Sequence, residues 1–136
     1  MSHWSSAYIG RPYLEAEFDC GELARLVQRE VFGREILIPV ERDYMGEAGP
    51  VARFRAMARQ IAAEAPRLAE PTTLPKDGDA VLLKSRGYFQ HIGIYCFVDG
   101  EPWVLHASDA SMQVVRTRVR ELEIRGLRIE GFYRWI

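Results

Sequence analysis

The chain has few cysteines, only Cys20 and Cys96 in 136 residues. A small fold stapled by disulfides normally needs more, so reduced thiols and a core built from apolar side chains are the expectation. An excess of charge of one sign is missing too. Eighteen Lys and Arg stand against nineteen Asp and Glu, a net charge of -1, which gives no whole-protein ground for nucleic-acid binding. No apolar run approaches the roughly 18 residues of a membrane span, so no membrane insertion is expected. The start, Met1-Ser2-His3-Trp4-Ser5-Ser6, lacks the basic and apolar segments of a secretory leader and points to synthesis in the cytoplasm without a signal peptide. The sequence has no internal repeat and no low-complexity tract. It also lacks a close ligand pair of the C-x-x-C or H-x-x-x-H kind, so no metal centre is expected.

What is present suits one folded domain over residues 1–136, with 48% hydrophobic and 27% charged residues. Residues 4–18 carry Trp4, Tyr8, Tyr13 and Phe18 around Gly10 and Pro12, an irregular or briefly helical lead-in that packs aromatic rings near Cys20. From Asp19 the pattern sharpens. Cys20, Leu23, Ala24, Val27 and Val31 follow the spacing of one helical face, with Asp19 and Glu22 placed as a capping box and Gly33 as the stop. A short extended piece, Ile36-Leu37-Ile38-Pro39, leads into a polar loop. Pro50 opens a second helix whose apolar stripe is Val51, Phe54, Ala58, Ile61, Ala62 and Ala65, with Arg53, Arg55 and Arg59 on a wet face and Pro66 as the end. Residues 71–78 read as a connection.

After Gly78 the period becomes extended. Residues 79–84, 89–98, 103–107 and 112–120 are rich in β-branched and aromatic side chains and are broken at Arg86-Gly87 and Asp99-Gly100, as in an antiparallel meander, and residues 131–136 offer a last strand. Arg116, Arg118 and Arg120 alternate with Val115, Thr117 and Val119, one wet face of a strand. Helices first and strands afterwards predict an α+β fold with the helices on one face of an antiparallel sheet.

The chemistry centres on Cys20, at the head of a helix whose N-terminal N–H groups and dipole favour a thiolate and can receive an oxyanion. Strand parity puts His91, Gly93 and Tyr95 on one face and Ile92, Ile94 and Cys96 on the other. Gly93 marks close approach of another backbone, which the parity assigns to the Cys20 helix on the His91 face. Cys96 points into core. In the next strand His106 shares a face with Val104. A thiol facing a strand histidine, itself oriented by a second polar residue, is the arrangement that nucleophilic acyl transfer requires. Glu15, Glu17 and Glu22 lie close to the thiol and would raise its pKa.

Phe18-Asp19-Cys20 before a helix, Gly78-Asp79 opening a strand, His91-Ile92-Gly93-Ile94-Tyr95 and Leu105-His106-Ala107 occur in the order found in the NlpC-type papain-like cysteine peptidases of bacterial cell walls. The chain resembles them over essentially its whole length. Ile9-Gly10-Arg11-Pro12-Tyr13 and Phe32-Gly33-Arg34-Glu35-Ile36 look most like the compact phage and prophage members associated with tails. The resemblance implies a helix bearing Cys20 packed on an antiparallel sheet or small open barrel, and hydrolysis of an amide in peptidoglycan stem peptides, typically between D-glutamate and a diamino acid. It implies Cys20 as nucleophile, His91 as general base and acid, His106 as the orienting third member and Tyr13 as the site tyrosine, with no cofactor. Its partners would be the stem peptide and, in a virion tail, tail proteins. Two other readings keep the fold: a tail-assembly module with little activity, motivated by the acids around Cys20, and an antibacterial amidase effector.

Overall fold

The computed structural model describes residues 2–14, 19–85, 90–108 and 110–136, with the backbone alone at 41, 42, 54, 58, 62, 85 and 90. Phe18, Glu15, Glu17 and the break at Arg86-Gly87 lie outside the described residues. Helix α1 spans Cys20–Phe32 and begins where the sequence sets its cap: the Asp19 carboxylate accepts the Glu22 N–H at 2.9 Å. It ends at Gly33, whose N–H reaches the Gln28 carbonyl and whose left-handed φ of 67° turns the Arg34 N–H back to the same carbonyl at 2.9 Å. Leu23, Ala24 and Val27 are fully buried on one stripe. Gln28 shares the buried side and donates to the Gly78 carbonyl at 2.8 Å.

After α1 the chain is extended, with Ile36, Ile38 and Val40 buried while Leu37 points out. A 3-10 turn at Glu41–Tyr44 leads to helix α2, Pro50–Leu68. Two expectations for α2 are corrected. Pro66 does not end the helix. It forfeits one ladder bond, and the turn is carried past it by the Ala69 N–H on the Ala65 carbonyl and by burial of Ala69 in the core. The buried stripe is also rotated. Met57 and Arg53 are buried and Ile61 is half-buried, whereas Val51 is exposed. Alanines spread around α2 leave the phase of its stripe open, and the aliphatic stem of Arg53 is apolar enough to join it. The side chains of Phe54, Ala58 and Ala62 lie outside the described set.

The sheet has six strands, β1 (Ala69–Thr72), β2 (Ala80–Ser85), β3 (Gln90–Val98), β4 (Glu101–Ser108), β5 (Gln113–Arg118) and β6 (Leu127–Trp135), in the order β1-β6-β2-β3-β4-β5. All neighbours are antiparallel. The expected meander is β2 to β5, and β6 then returns to lie between β2 and β1. Strand β1 begins two residues before the expected connection, residues 71–78, and takes in its first two residues. A four-residue edge strand containing Pro71 carries almost no propensity signal, and an edge tolerates the missing N–H. Strand β5 stops at Arg118 and gives way to a 3-10 turn, Val119–Glu121. Arg116 and Arg118 lie over the Trp103 ring, and Arg118 and Arg120 pair with Glu101 at 3.1 and 2.9 Å.

Helix α1 packs on the sheet face made by Ile92, Ile94, Cys96, Leu105, Ala107 and Val114. Tyr95, Val104, Val81 and Leu83 form the opposite face with Leu122. This corrects the expectation for Gly93. A Cβ there would collide with Val104 Cγ1 and come within 3.3 Å of the Leu105 carbonyl, so the close visitor is β4 and not α1. At the far edge the lead-in, after a 3-10 turn at Trp4–Ala7, runs along β5. Gly10 donates to Val114, Tyr13 donates to Met112, and Pro12 bridges Gln113. Trp4 and Tyr13 thereby pack on the same core as Cys20. Tyr8 is buried with its hydroxyl on Glu30 at 2.9 Å.

Because the Gly93 position is filled by β4, Gly93→Ala is expected to cost about 1–3 kcal/mol through overpacking. Urea unfolding of the variant against wild type measures it.

Candidate active site

The site is built on a fork between β3 and β4. Tyr95 donates to the Asp79 carbonyl and accepts from Gly78, so the odd residues of β3 direct their backbone groups toward β2. The even residues therefore face β4. The β3–β4 ladder runs from Val98↔Glu101 to Ile94↔Leu105, and no further pair follows among the described residues. The next N–H aimed into the gap belongs to Ile92, and it is this amide that interacts with the Cys20 sulfur. Helix α1 thus brings its first residue to the point where the two strands part.

The same gap is crossed from the other face by two imidazoles. His91 Nε2 and His106 Nδ1 are 3.1 Å apart, with the rings nearly perpendicular at 87°. His106 Nε2 lies 3.3 Å from Thr117 Oγ1, and both His106 and Thr117 are buried. Parity alone would put a helix-face thiol and these rings on opposite sides of a continuous sheet. At the fork that ladder is interrupted. Both ring nitrogens of His106 thus have a partner, and because the Thr117 hydroxyl can donate or accept, the chain closes with either neutral tautomer of His106.

Burial first, then the charge of His91 and of Arg125, pushes the His106 pKa down to about 3. His106 is therefore neutral and can hold a fixed tautomer. The Cys20 thiol is pushed up to about 12, first by burial and then by Asp19, while the N–H groups of Ile92, Gly21 and Cys20 itself pull the other way. The acid that counts is the cap residue Asp19. The sequence pointed instead to Glu22, and to Glu15 and Glu17, which lie outside the described residues. A thiol held neutral in this way becomes nucleophilic only by giving its proton to a neighbouring base.

Cys20 and Tyr13 are half-buried against one apolar cluster, His91 and His106 are hydrogen-bonded to each other, and Cys96 is fully buried in the core with its thiol 3.5 Å from the Ile94 carbonyl. Thr117 was missed. Its register position opposite Val104, two residues from the partner of His106, puts it on the His106 face. The only sign of it in the sequence is a threonine among the inward residues of β5. Among the described residues no cluster of His, Cys, Asp and Glu could hold a metal ion.

The depressed His106 pKa has a consequence for stability. A histidine held neutral in the fold but free to protonate at about 6.5 when unfolded leaves its contribution intact above pH 6.5, and that contribution is lost as pH falls toward 3. Chemical unfolding from pH 7 to 4 is expected to show stability falling more steeply in wild type than in His106→Gln.

The family model described as the NlpC/P60 family matches residues 7–125. Comparison with curated proteins and with solved structures finds no match. The match takes in α1 with Cys20, the forked strands and both histidines. By this match the chain belongs to the NlpC/P60 family, whose members are in general cysteine peptidases and related hydrolases of the cell wall.

Proposed function

We propose that this protein is a cysteine endopeptidase that hydrolyses an amide of peptidoglycan stem peptides, with Cys20 as nucleophile, His91 as general base and acid, His106 as the orienting group and Tyr13 as part of the site wall. The observation that supports it is the fork, where the Cys20 sulfur meets the Ile92 amide and the His91–His106–Thr117 chain crosses the same gap. His91 Nδ1 takes the thiol proton as the sulfur attacks the scissile carbonyl. The developing oxyanion accepts from N–H groups of the first turn of α1. His91 then protonates the leaving amine, and water, deprotonated by His91, cleaves the thioester and restores the thiol. His106 fixes the His91 ring while staying neutral itself.

The scissile bond in this reading lies between a γ-linked D-glutamyl residue and a diamino acid. The setting is a phage or prophage tail, in which the protein is made in the cytoplasm and carried to the wall with the particle. The segments Ile9-Gly10-Arg11-Pro12-Tyr13 and Phe32-Gly33-Arg34-Glu35-Ile36 support that setting through their likeness to tail-associated members.

A second reading is favoured by one observation. A thiol pushed up to about 12 by burial and Asp19 suits a tail module that keeps the fold with little turnover.

Digestion of purified muropeptides separates the two. Wild type is expected to release new amine termini, Cys20→Ala to release none, and His91→Ala to be slower by about 10²–10⁴-fold. Equal product from wild type and Cys20→Ala would remove Cys20 as nucleophile, and no product from wild type would favour the module. Alkylation by iodoacetamide gives an independent measure. Its rate at Cys20 is expected to keep rising with pH beyond 9, because the thiol is still protonated there.

A further inference from the structure

Strand β6 contains a bulge that changes which way its residues face. Gly131 lies opposite Leu82 and Ile129 opposite Leu83, so Glu130 is the extra residue. Past the bulge, Ile129 and Leu127 pack with Val81 and Leu83 on the face away from α1. Arg128 is turned to the other face, the one that carries α1, and sits directly opposite Lys84 of β2. With no bulge the parity would reverse, and Arg128 would face away from Cys20.

The result is two cations side by side across a ladder, an arrangement that costs stability when nothing lies between them. Both side chains are exposed. Arg128 has a distant partner in Glu130 at 3.9 Å, and Lys84 makes no ion pair among the described residues.

The position of this pair gives it a use. Helix α1 runs along β3 with Cys20 at the Ile92 end. Beyond Ile92 the same face continues to the backbone position of Gln90, whose register partner is Lys84, whose partner in turn is Arg128. Strand spacing puts Lys84 on the order of 8 Å from Ile92 and Arg128 on the order of 12 Å away. Asp19, at the head of α1, is buried and engaged in capping the helix. Arg125, on the turn before β6, adds charge of the same sign near His106.

We propose that Lys84 and Arg128 form a carboxylate-reading strip in front of Cys20, selecting peptides that carry a free carboxylate within about two residues of the scissile amide. This rests on the endopeptidase reading above. A γ-linked glutamyl residue fits it chemically, because its α-carboxylate stays free beside the amide that is cut.

The test uses the synthetic tripeptide L-alanyl-γ-D-glutamyl-L-lysine and the same peptide with its carboxylates converted to carboxamides. Wild type is expected to favour the acid peptide by about tenfold in kcat/KM, mostly through KM, with the advantage shrinking as salt is added. In Lys84→Gln/Arg128→Gln that preference falls to within about twofold, while cleavage of the carboxamide peptide is unchanged. No preference in wild type, or an equal preference in the double variant, overturns the proposal. If wild type cleaves neither peptide, the endopeptidase reading fails, and calorimetric binding of the two peptides decides the strip by the same comparison. The double variant is also expected to melt no lower than wild type, since it removes a like-charge pair.

Discussion

The structure depends on the point where the first turn of α1 meets the end of the β3–β4 ladder. Asp19 fixes the start of the helix by holding the Glu22 N–H, and the buried stripe Leu23, Ala24 and Val27 lays the helix along β3. Cys20 then has one place to go, over the Ile92 amide that β4 no longer engages. If the ladder continued two residues further, β4 would take up the Ile92 amide that now interacts with the sulfur. The opening matters as much to the site as the residues around it.

Gly93 shows how the opening is made. It lies one residue past the last pair of the ladder, and Val104 fills the volume that its missing side chain leaves. The strands are drawn together there on the face away from the helix, just before they part. His106 is carried into the interior by the same stretch of β4, which accounts for its neutrality and for its need of Thr117 as a partner. Burial has opposite consequences for the two titrating groups. It keeps His106 uncharged, and it holds Cys20 protonated.

Local signals explain what could be read from the sequence. Helix α1 announces itself through Asp19, a 3.6-residue apolar spacing and Gly33, all within fifteen residues, and the meander through alternation and its breaks. Parity assigned the faces of His91, His106 and Cys96 correctly. It failed for the helix, because a periodicity says which residues share a face but not where a ladder ends. Strand β1 was illegible, since Ala69–Thr72 becomes a strand only by pairing with β6. The phase of α2 was lost among alanines. Thr117 and the bulge at Glu130 are set by register between distant strands, and no local pattern encodes it.

The two outer strands end the sheet differently from the inner ones. Along β5, Pro12 and its neighbours occupy the outward edge, and at the other side β1 is only four residues long and contains Pro71. Neither margin presents a long row of free donors and acceptors. Both margins are thereby protected against stacking edge to edge with other copies of the chain. The lead-in that adds Tyr13 to the core beside α1 thus also closes the β5 edge of the sheet.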